Sequence, residues 1–165
     1  MHADDYPDVT IRPMVQTDRR IIAELIAAVD NFNQAEVACA LELIDSYLTD
    51  TLQTDYFVAV AEDTAGLHAY VCWGPVPLTR GTYDLYWIAT HPDSRGKGHG
   101  RALLAYVEAS IKQNGGRLLL AETSAKQTYE GTVAFYRRLG FEETSSIKDF
   151  YDVGDDRLIF VKRLS

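Results

Sequence analysis

Residues 92–101 read PDSRGKGHGR and lie between a predicted strand and a predicted helix. Three alternating glycines allow a tight backbone turn and leave no Cβ in the way of a ligand. Successive N–H groups of such a turn, at the positive end of the following helix dipole, form an anion site, and three cations strengthen it. The segment therefore predicts a phosphate-binding turn. Its glycines and cations are Gly96, Gly98 and Gly100, and Arg95, Lys97 and Arg101.

The usual nucleotide motifs fit this turn poorly. Lys97 is not followed by Ser or Thr in the spacing of a P-loop, which argues against a nucleoside triphosphate. The glycines stand at alternate positions, and their strand comes too late in the chain for the first unit of a dinucleotide-binding fold. The turn is thus predicted to hold another phosphate ligand.

Length and composition predict one compact domain. The chain has 165 residues, 47% of them hydrophobic, which is enough for a real core. We expect a single domain over residues 1–165, with a core from 9 to 164 and a flexible N-terminus at 1–8. No apolar stretch is long enough to cross a bilayer, and the acidic start lacks the pattern of a secretory signal, so a cytoplasmic protein is expected.

The formal net charge is -8. An acidic surface repels phosphate backbones and disfavours nucleic-acid binding, whereas it suits a cationic amine. Cys39 and Cys72 have no CxxC spacing, and both are predicted to be buried as small hydrophobes. His91 and His99 flank the turn and are predicted at the surface, with no spacing that favours a metal.

Apolar periodicity predicts a mixed α/β fold in the order strand, two helices, three strands, helix, strand, helix, two strands. The last two strands are expected to be joined by residues 149–155. The predicted strands are 9–12, 56–61, 67–73, 83–90, 117–123, 141–147 and 158–164, and the predicted helices are 17–29, 34–48, 100–113 and 129–139.

Two motifs resemble signatures of the GNAT N-acetyltransferase superfamily. The stretch RGKGHG at 95–100 matches its R/Q-x-x-G-x-G/A element, and FYRRLGF at 135–141 is similar to its Phe-Tyr pair before Gly-Phe. The resemblance covers about residues 9–164 and is tightest over 84–141. It implies a mostly antiparallel sheet of about seven strands, with two central strands splayed apart, flanked by about four helices.

The resemblance also implies that acetyl-CoA is the co-substrate and that no metal is needed. Many family members carry an asparagine seven residues before the signature tyrosine, but Tyr129 stands there in this chain, so Tyr129 and Thr132 are candidates to replace its coenzyme contact. The other residues implied to contact the coenzyme are Ile88, Ala89, Thr90, Arg95, Gly96, Lys97, Gly98, His99, Gly100 and Arg101.

Amine acetylation needs a proton acceptor for the amine and a donor for the departing thiolate. By resemblance, Tyr136 is the donor. Two carboxylates compete as the base: Glu122, at the end of an apolar strand, is favoured over Asp84, and bulk water is a third option. A half-buried carboxylate suits this task because burial raises its pKa.

The acceptor is expected to be a primary amine of a small, amino-acid-like molecule that attacks directly in a ternary complex. The candidates to line its site are residues 30–33, Trp73, Tyr86, Trp87 and residues 149–151. A protein amine, another acyl-CoA, and a non-catalytic CoA-binding sensor remain alternatives, and a homodimer is left open.

Overall fold

The computed structural model describes residues 9–165, so the predicted flexible N-terminus at 1–8 lies outside the described residues. Within this part, seven strands and four α-helices follow one another in the predicted order. None of these helices combines the length and the apolar composition that a membrane span requires. The strands are β1 (Thr10–Pro13), β2 (Phe57–Asp63), β3 (Gly66–Pro75), β4 (Thr82–Thr90), β5 (Leu118–Ser124), β6 (Glu142–Asp152) and β7 (Asp155–Arg163), and the helices are α1 (Arg19–Ala28), α2 (Gln34–Thr49), α3 (His99–Gln113) and α4 (Glu130–Arg138).

The strands form one mixed sheet in the order β1-β2-β3-β4-β5-β7-β6. β1 with β2, β2 with β3, β5 with β7 and β6 with β7 are antiparallel, whereas β4 and β5 are parallel. The mixed, mostly antiparallel α/β fold is thereby confirmed. The recorded β4–β5 pairing joins Thr82–Leu85 to Leu118–Ala121. The separation of β4 and β5 beyond these paired residues stays a prediction.

The chain divides into two compact units. Unit 1 takes in the described residues up to Gly74 together with Trp87–Val107, and unit 2 takes in Pro75–Tyr86 together with Glu108–Ser165.

A branched ion pair ties the first strand of unit 1 to its neighbours. The guanidinium of Arg12 donates to both carboxylate oxygens of Asp18, at 2.7 and 2.9 Å, and to both of Glu62, at 2.8 Å. Asp18 is only 5% exposed and also accepts the Val15 N–H. The hydrogen bonds from Arg12 hold the pKa of Asp18 below its usual range. β1, β2 and the start of α1 are thus joined through one side chain.

The two helices of the first part of unit 1 have a capped start on α2 and a buried apolar face on α1. Asn33 and Glu36 cap α2 reciprocally, each side chain accepting the other's backbone N–H. On α1, Ile22, Leu25 and Ile26 form the buried face, whereas Ile21 is 40% exposed.

The prediction for the cysteines is half right. Cys72 on β3 is fully buried, and burial raises the pKa of its thiol to about 12. Cys39 on α2 is exposed, so its predicted burial is wrong. Cys39 precedes Ala40, which takes the core-facing position on that turn of the helix.

Strand β5 lies at the centre of unit 2, between β4 and β7. Leu119 and Ala121 are buried on it, as the short apolar run predicts. The chain reaches β5 through Gly115 and Gly116 at the end of α3. A Cβ on Gly116 would lie 2.1 Å from Cγ2 of Ile111, so only glycine fits this return.

The β6–β7 hairpin is longer than predicted. Residues 149–152 belong to β6 rather than to a loop, and the turn is reduced to Val153 and Gly154, with Gly154 at φ +79°. The many polar residues of 149–155 resemble a loop in sequence because every residue of β6 is exposed. β6 lies at the edge of the strand order, and the C-terminal strand β7 lies between β5 and β6.

Candidate active site

The glycine-rich turn lies in unit 1 between β4 and α3, as predicted. A short 3-10 turn at Pro92–Ser94 follows β4, and α3 begins at His99. Gly96 and Gly98 have φ angles of +75° and +85°, in the left-handed region that favours glycine. A Cβ on Gly96 would meet nothing within 4 Å, so the turn is open on that side.

Two of the predicted cations already have partners in the turn region. Arg95 donates to Asp30 at 2.8 Å, and this hydrogen bond lowers the pKa of the Asp30 carboxyl. The ammonium of Lys97 donates to the backbone oxygen of Asp93 at 3.1 Å. Both cations are exposed, so such contacts are weak and exchange readily for a stronger anion.

The prediction of a surface position for His99 is wrong. His99 is 3% exposed, and its ring stacks on His68 with centroids 4.7 Å apart. Burial, followed by the nearby His68, lowers the pKa of His99. Its position at the first turn of a helix hid this burial, because the stacking partner comes from β3, 31 positions earlier. His91 is half-buried rather than fully exposed.

The remaining candidate residues divide between the units. Ile88, Ala89 and Thr90 belong to unit 1 with the glycine-rich turn. The proposed proton-transfer residues and the two replacements for the family asparagine belong to unit 2, namely Asp84, Glu122, Tyr136, Tyr129 and Thr132.

Within unit 2, Asp84 and Glu122 lie on one face of the sheet. Asp84 pairs with Leu120, and Glu122 follows two residues later on β5, so both side chains point to the same side. Burial raises the pKa of Asp84, and the charge of Arg157 partly opposes this. Glu122 is exposed and is ion-paired with Arg157.

Arg157 is a site residue that sequence reasoning missed. It pairs with Ser124 across β5 and β7, which places it on the Glu122 face of the sheet. Its guanidinium carbon also lies 4.6 Å from the ring centroid of Phe150. The sequence offers one signal for this pair, an arginine on the last strand and a glutamate at the end of β5. Recognising that they meet requires the β5–β7 register, which the sequence does not show.

The aromatic pair at 150–151 belongs to the candidate acceptor segment 149–151, and an aromatic ring can receive an ammonium through cation–π contact. Arg157 covers one face of the Phe150 ring, and Tyr151 contacts it edge-on at 5.0 Å. The face beside Arg157 is therefore closed to an acceptor.

Tyr136 is 5% exposed on α4, among the rings of Phe135, Phe141 and Phe160. Burial raises the pKa of its phenol well above the ordinary value. The hydroxyl therefore stays protonated across neutral pH, so it can donate a hydrogen bond. Tyr129, at the start of α4, and Thr132 are half-buried.

Two of the candidate acceptor segments meet in unit 1. Phe32 contacts Trp87 edge-to-face, with ring centroids 5.2 Å apart. Trp73, by contrast, is 4% exposed and packs between Phe57 and Tyr106. It is a core residue, so its expected place in an acceptor site is not supported.

Residues 53–143, more than half of the chain, match the sequence model of the acetyltransferase (GNAT) domain. The chain belongs to the GNAT acetyltransferase family. The matched range contains the glycine-rich turn and all three proton-transfer candidates of this GNAT chain.

Relatives and solved structures agree with this membership. The [ribosomal protein bS18]-alanine N-acetyltransferase of Escherichia coli K12 is 33% identical over 73 residues, which are 44% of this chain and 48% of that protein. The matched part thus spans about half the length of this curated relative.

A candidate GNAT acetyltransferase from Desulfovibrio desulfuricans is 38% identical, with a TM-score of 0.90 over 95% of this chain and 99% of that one. A candidate acetyltransferase from Salmonella typhimurium, solved with acetyl-CoA, shares the fold at 21% identity, with a TM-score of 0.71 over 96% and 95% of the two chains.

Proposed function

We propose that this chain is an N-acetyltransferase that moves an acetyl group from acetyl-CoA to a primary amine. The observation that carries the proposal is the open glycine-rich turn, which leads into the N-terminus of the fifteen-residue helix α3. A pyrophosphate group suits such a turn because the backbone N–H groups and the helix dipole both favour an anion. Membership of the GNAT family supports acetyl-CoA as the ligand.

The residues present fit this coenzyme. The N–H groups of residues 95–101 would hold the pyrophosphate, with Arg95 and Lys97 adding charge at its edge. Backbone groups of residues 88–90 would receive the pantetheine arm. Tyr129 and Thr132 stay the candidates for the contact that the family asparagine makes. The bound coenzyme supplies the activated acyl group as a thioester.

Asp84 is our first choice for the base. Its carboxylate is half-buried and has a raised pKa, so it accepts a proton at neutral pH more readily than an ordinary aspartate. Glu122 is exposed, and its carboxylate forms an ion pair with Arg157. The structure thus favours the reverse of the order expected from sequence, with Glu122 holding Arg157 in place.

The attack places negative charge on the thioester oxygen, and a backbone N–H near Ile88 or Ala89 would stabilise it. The C–S bond then breaks, and the sulfur departs with the electron pair. We assign Tyr136 to this sulfur as a hydrogen-bond donor. Full proton transfer from its phenol would be uphill, since a thiol has a pKa of only about 8.5.

Two classes of acceptor compete. The E. coli relative is named for an alanine of a ribosomal protein, which favours a protein α-amine. The net charge of -8 suits any cationic amine, including a small amino-acid-like one. In both cases the amine attacks while acetyl-CoA is bound.

A thiol-release assay tests the proposal and separates the acceptors. Acetyl-CoA is incubated with the enzyme and with small amines, Ala-initiated peptides, or the same peptides with a blocked N-terminus as the matched control. Release with free but not blocked peptides assigns a protein α-amine, and release with small amines assigns a metabolite. Binding of acetyl-CoA without release by any amine would favour the sensor alternative.

Tyr136→Phe should retain acetyl-CoA binding and lower turnover by about 10²-fold, the scale of a lost hydrogen-bond donor to a developing negative charge. The ring still fills its place among Phe135, Phe141 and Phe160, so folding is preserved. Unchanged turnover would remove Tyr136 from the reaction.

A further inference from the structure

His68 on β3 holds both ends of the 3-10 turn that precedes the glycine-rich turn. Its backbone oxygen accepts the His91 N–H at 2.8 Å. Its ring Nδ1 lies 2.8 Å from the hydroxyl of Ser94, which is 6% exposed. The first residue after β4 and the last residue of the 3-10 turn are thus fixed by one residue.

The same ring also contacts the far side of the glycine-rich turn. It stacks on His99, the first residue of α3, with centroids 4.7 Å apart and ring planes inclined by 17°. Ser94 directly precedes residues 95–98 and His99 directly follows them, so His68 contacts both flanks of this segment. Residues 95–97 between these flanks are exposed.

Asp63 fixes the orientation of this ring. Its Oδ1 lies 2.7 Å from Nε2 of His68 and also accepts the Ala65 N–H at 2.7 Å. These hydrogen bonds, that of His68 first, lower the pKa of Asp63. A carboxylate only accepts, so Nε2 carries a hydrogen, and in the neutral ring Nδ1 accepts the Ser94 hydroxyl.

Ligand-type atoms of Asp63, His68 and His99 lie within 4.8 Å of one another, which also raises the question of a metal. An imidazole binds a metal through a lone pair in the ring plane. Two stacked, nearly parallel rings cannot both aim such lone pairs at one ion. The arrangement is therefore that of a hydrogen-bonded and stacked support, and it carries no metal site without a ring rotation.

We propose that His68 is a positioning residue for coenzyme binding, which fixes residues 95–98 by bonding Ser94 and stacking on His99. The inference rests on the proposed function, in which this turn holds the pyrophosphate. Two glycines make the free turn flexible, and its N–H groups must converge on one anion. A support at both flanks reduces the conformations that binding would otherwise have to exclude, which increases affinity.

The test uses two variants and a matched control. Ser94→Ala removes the hydroxyl, and His68→Phe keeps a stacking ring but loses both side-chain hydrogen bonds. Glu62→Gln is the control. Glu62 lies next to Asp63 on β2, and the change weakens its ion pair with Arg12 without touching the turn. Calorimetry gives the Kd of acetyl-CoA, steady-state kinetics give KM and kcat, and hydrogen exchange without coenzyme reports on residues 95–100.

Ser94→Ala and His68→Phe should each raise the Kd and the KM of acetyl-CoA about tenfold, or about 1.4 kcal/mol. Their kcat and acceptor KM should stay unchanged, and the amides of the turn should exchange faster than in the wild type. Glu62→Gln should lower the melting temperature without changing the Kd. A purely structural role would instead affect all three variants in proportion to their loss of stability.

Suppose that the wild type binds acetyl-CoA, but that Ser94→Ala and His68→Phe leave either its Kd or the amide exchange of the turn unchanged. The role of His68 would then be overturned, and the proposed function would not. If the wild type itself did not bind acetyl-CoA, the proposed function would fall, and this inference with it.

Discussion

At the scale of single residues, Asp84 is a carboxylate whose burial disfavours its charged form. Its carboxyl is half-buried and burial raises its pKa, so the folded protein binds this proton more tightly than the unfolded chain does. The stability that it contributes is present below the unfolded pKa, about 3.9, and is lost as the pH rises through the folded pKa. At pH 7 the charged side chain is therefore unfavourable.

Asp84→Asn should raise the melting temperature at pH 7, because the neutral amide avoids burying a charge. The gain should disappear near pH 3.5, where Asp84 is protonated in both states. Thermal unfolding at several pH values measures this. Asp93→Asn, at a side chain that is 92% exposed, is the control and should have no effect. A lower melting temperature for Asp84→Asn at pH 7 would mean that its attraction to Arg157 outweighs its burial.

The same residue should set the acidic limb of the activity profile. A base must be deprotonated, so kcat/KM should fall as the pH drops through the pKa of Asp84, at a higher pH than an ordinary aspartate would give. Asp84→Asn should lower kcat/KM by about 10²-fold or more and remove the limb. Glu122→Gln should keep the limb. Its loss in Glu122→Gln alone would restore Glu122 as the base.

At the scale of secondary-structure elements, the turn between β4 and α3 depends on left-handed glycines. Gly96→Ala meets no steric clash, so its cost is the backbone strain of about 1–2 kcal/mol. We expect a lower melting temperature and at least tenfold weaker acetyl-CoA binding by calorimetry.

Gly115→Ala is the matched control for that change. Gly115 has φ +73° against +75° at Gly96, and a Cβ on it would also meet nothing within 4 Å, but it ends α3 in unit 2. Both variants should lose similar stability, and only Gly96→Ala should lose coenzyme affinity. Equal affinity in the two variants would show that the turn does not contact the ligand.

The Arg12 ion pair joins three elements of unit 1, and its loss should be costly. Arg12→Met leaves the buried Asp18 carboxylate without its cation, which should lower the free energy of unfolding by about 2 kcal/mol. Arg20→Met, which removes an exposed pair with Glu24, should cost about 0.5 kcal/mol or less. Urea denaturation compares them. The Arg12 effect should shrink at acidic pH, as Asp18 becomes protonated, and equal losses at pH 7 would contradict the account.

At the scale of the whole molecule, local patterns predicted the elements well and long-range contacts poorly. The order of strands and helices, the place of the glycine-rich turn and the burial of β5 follow from apolar patterns and glycine spacing. The burial of His99 does not, because it depends on His68 from a distant strand. Arg157 was missed for the same reason, since its partner Glu122 lies 35 positions away.

The hairpin of β6 and β7 shows a second limit. Its polar residues 149–152 lack any alternation because every residue of β6 is exposed, so no pattern marks them as a strand. Among them, Asp152 pairs with Asp155 across the tight turn at Gly154, and the register of β6 against β7 shifts between Ile147 and Asp152. Hydrophobic patterns in a sequence indicate which residues are buried, so they say little about an edge strand that has no buried residue.

We propose that the glycine-rich turn enables this GNAT chain to bind acetyl-CoA. Calorimetric titration of the purified wild-type protein with acetyl-CoA tests it most directly. We expect saturable binding of one coenzyme per chain, weakened by added salt because the ligand is a polyanion. No detectable binding would contradict the claim, and the turn would then be only a connection between β4 and α3.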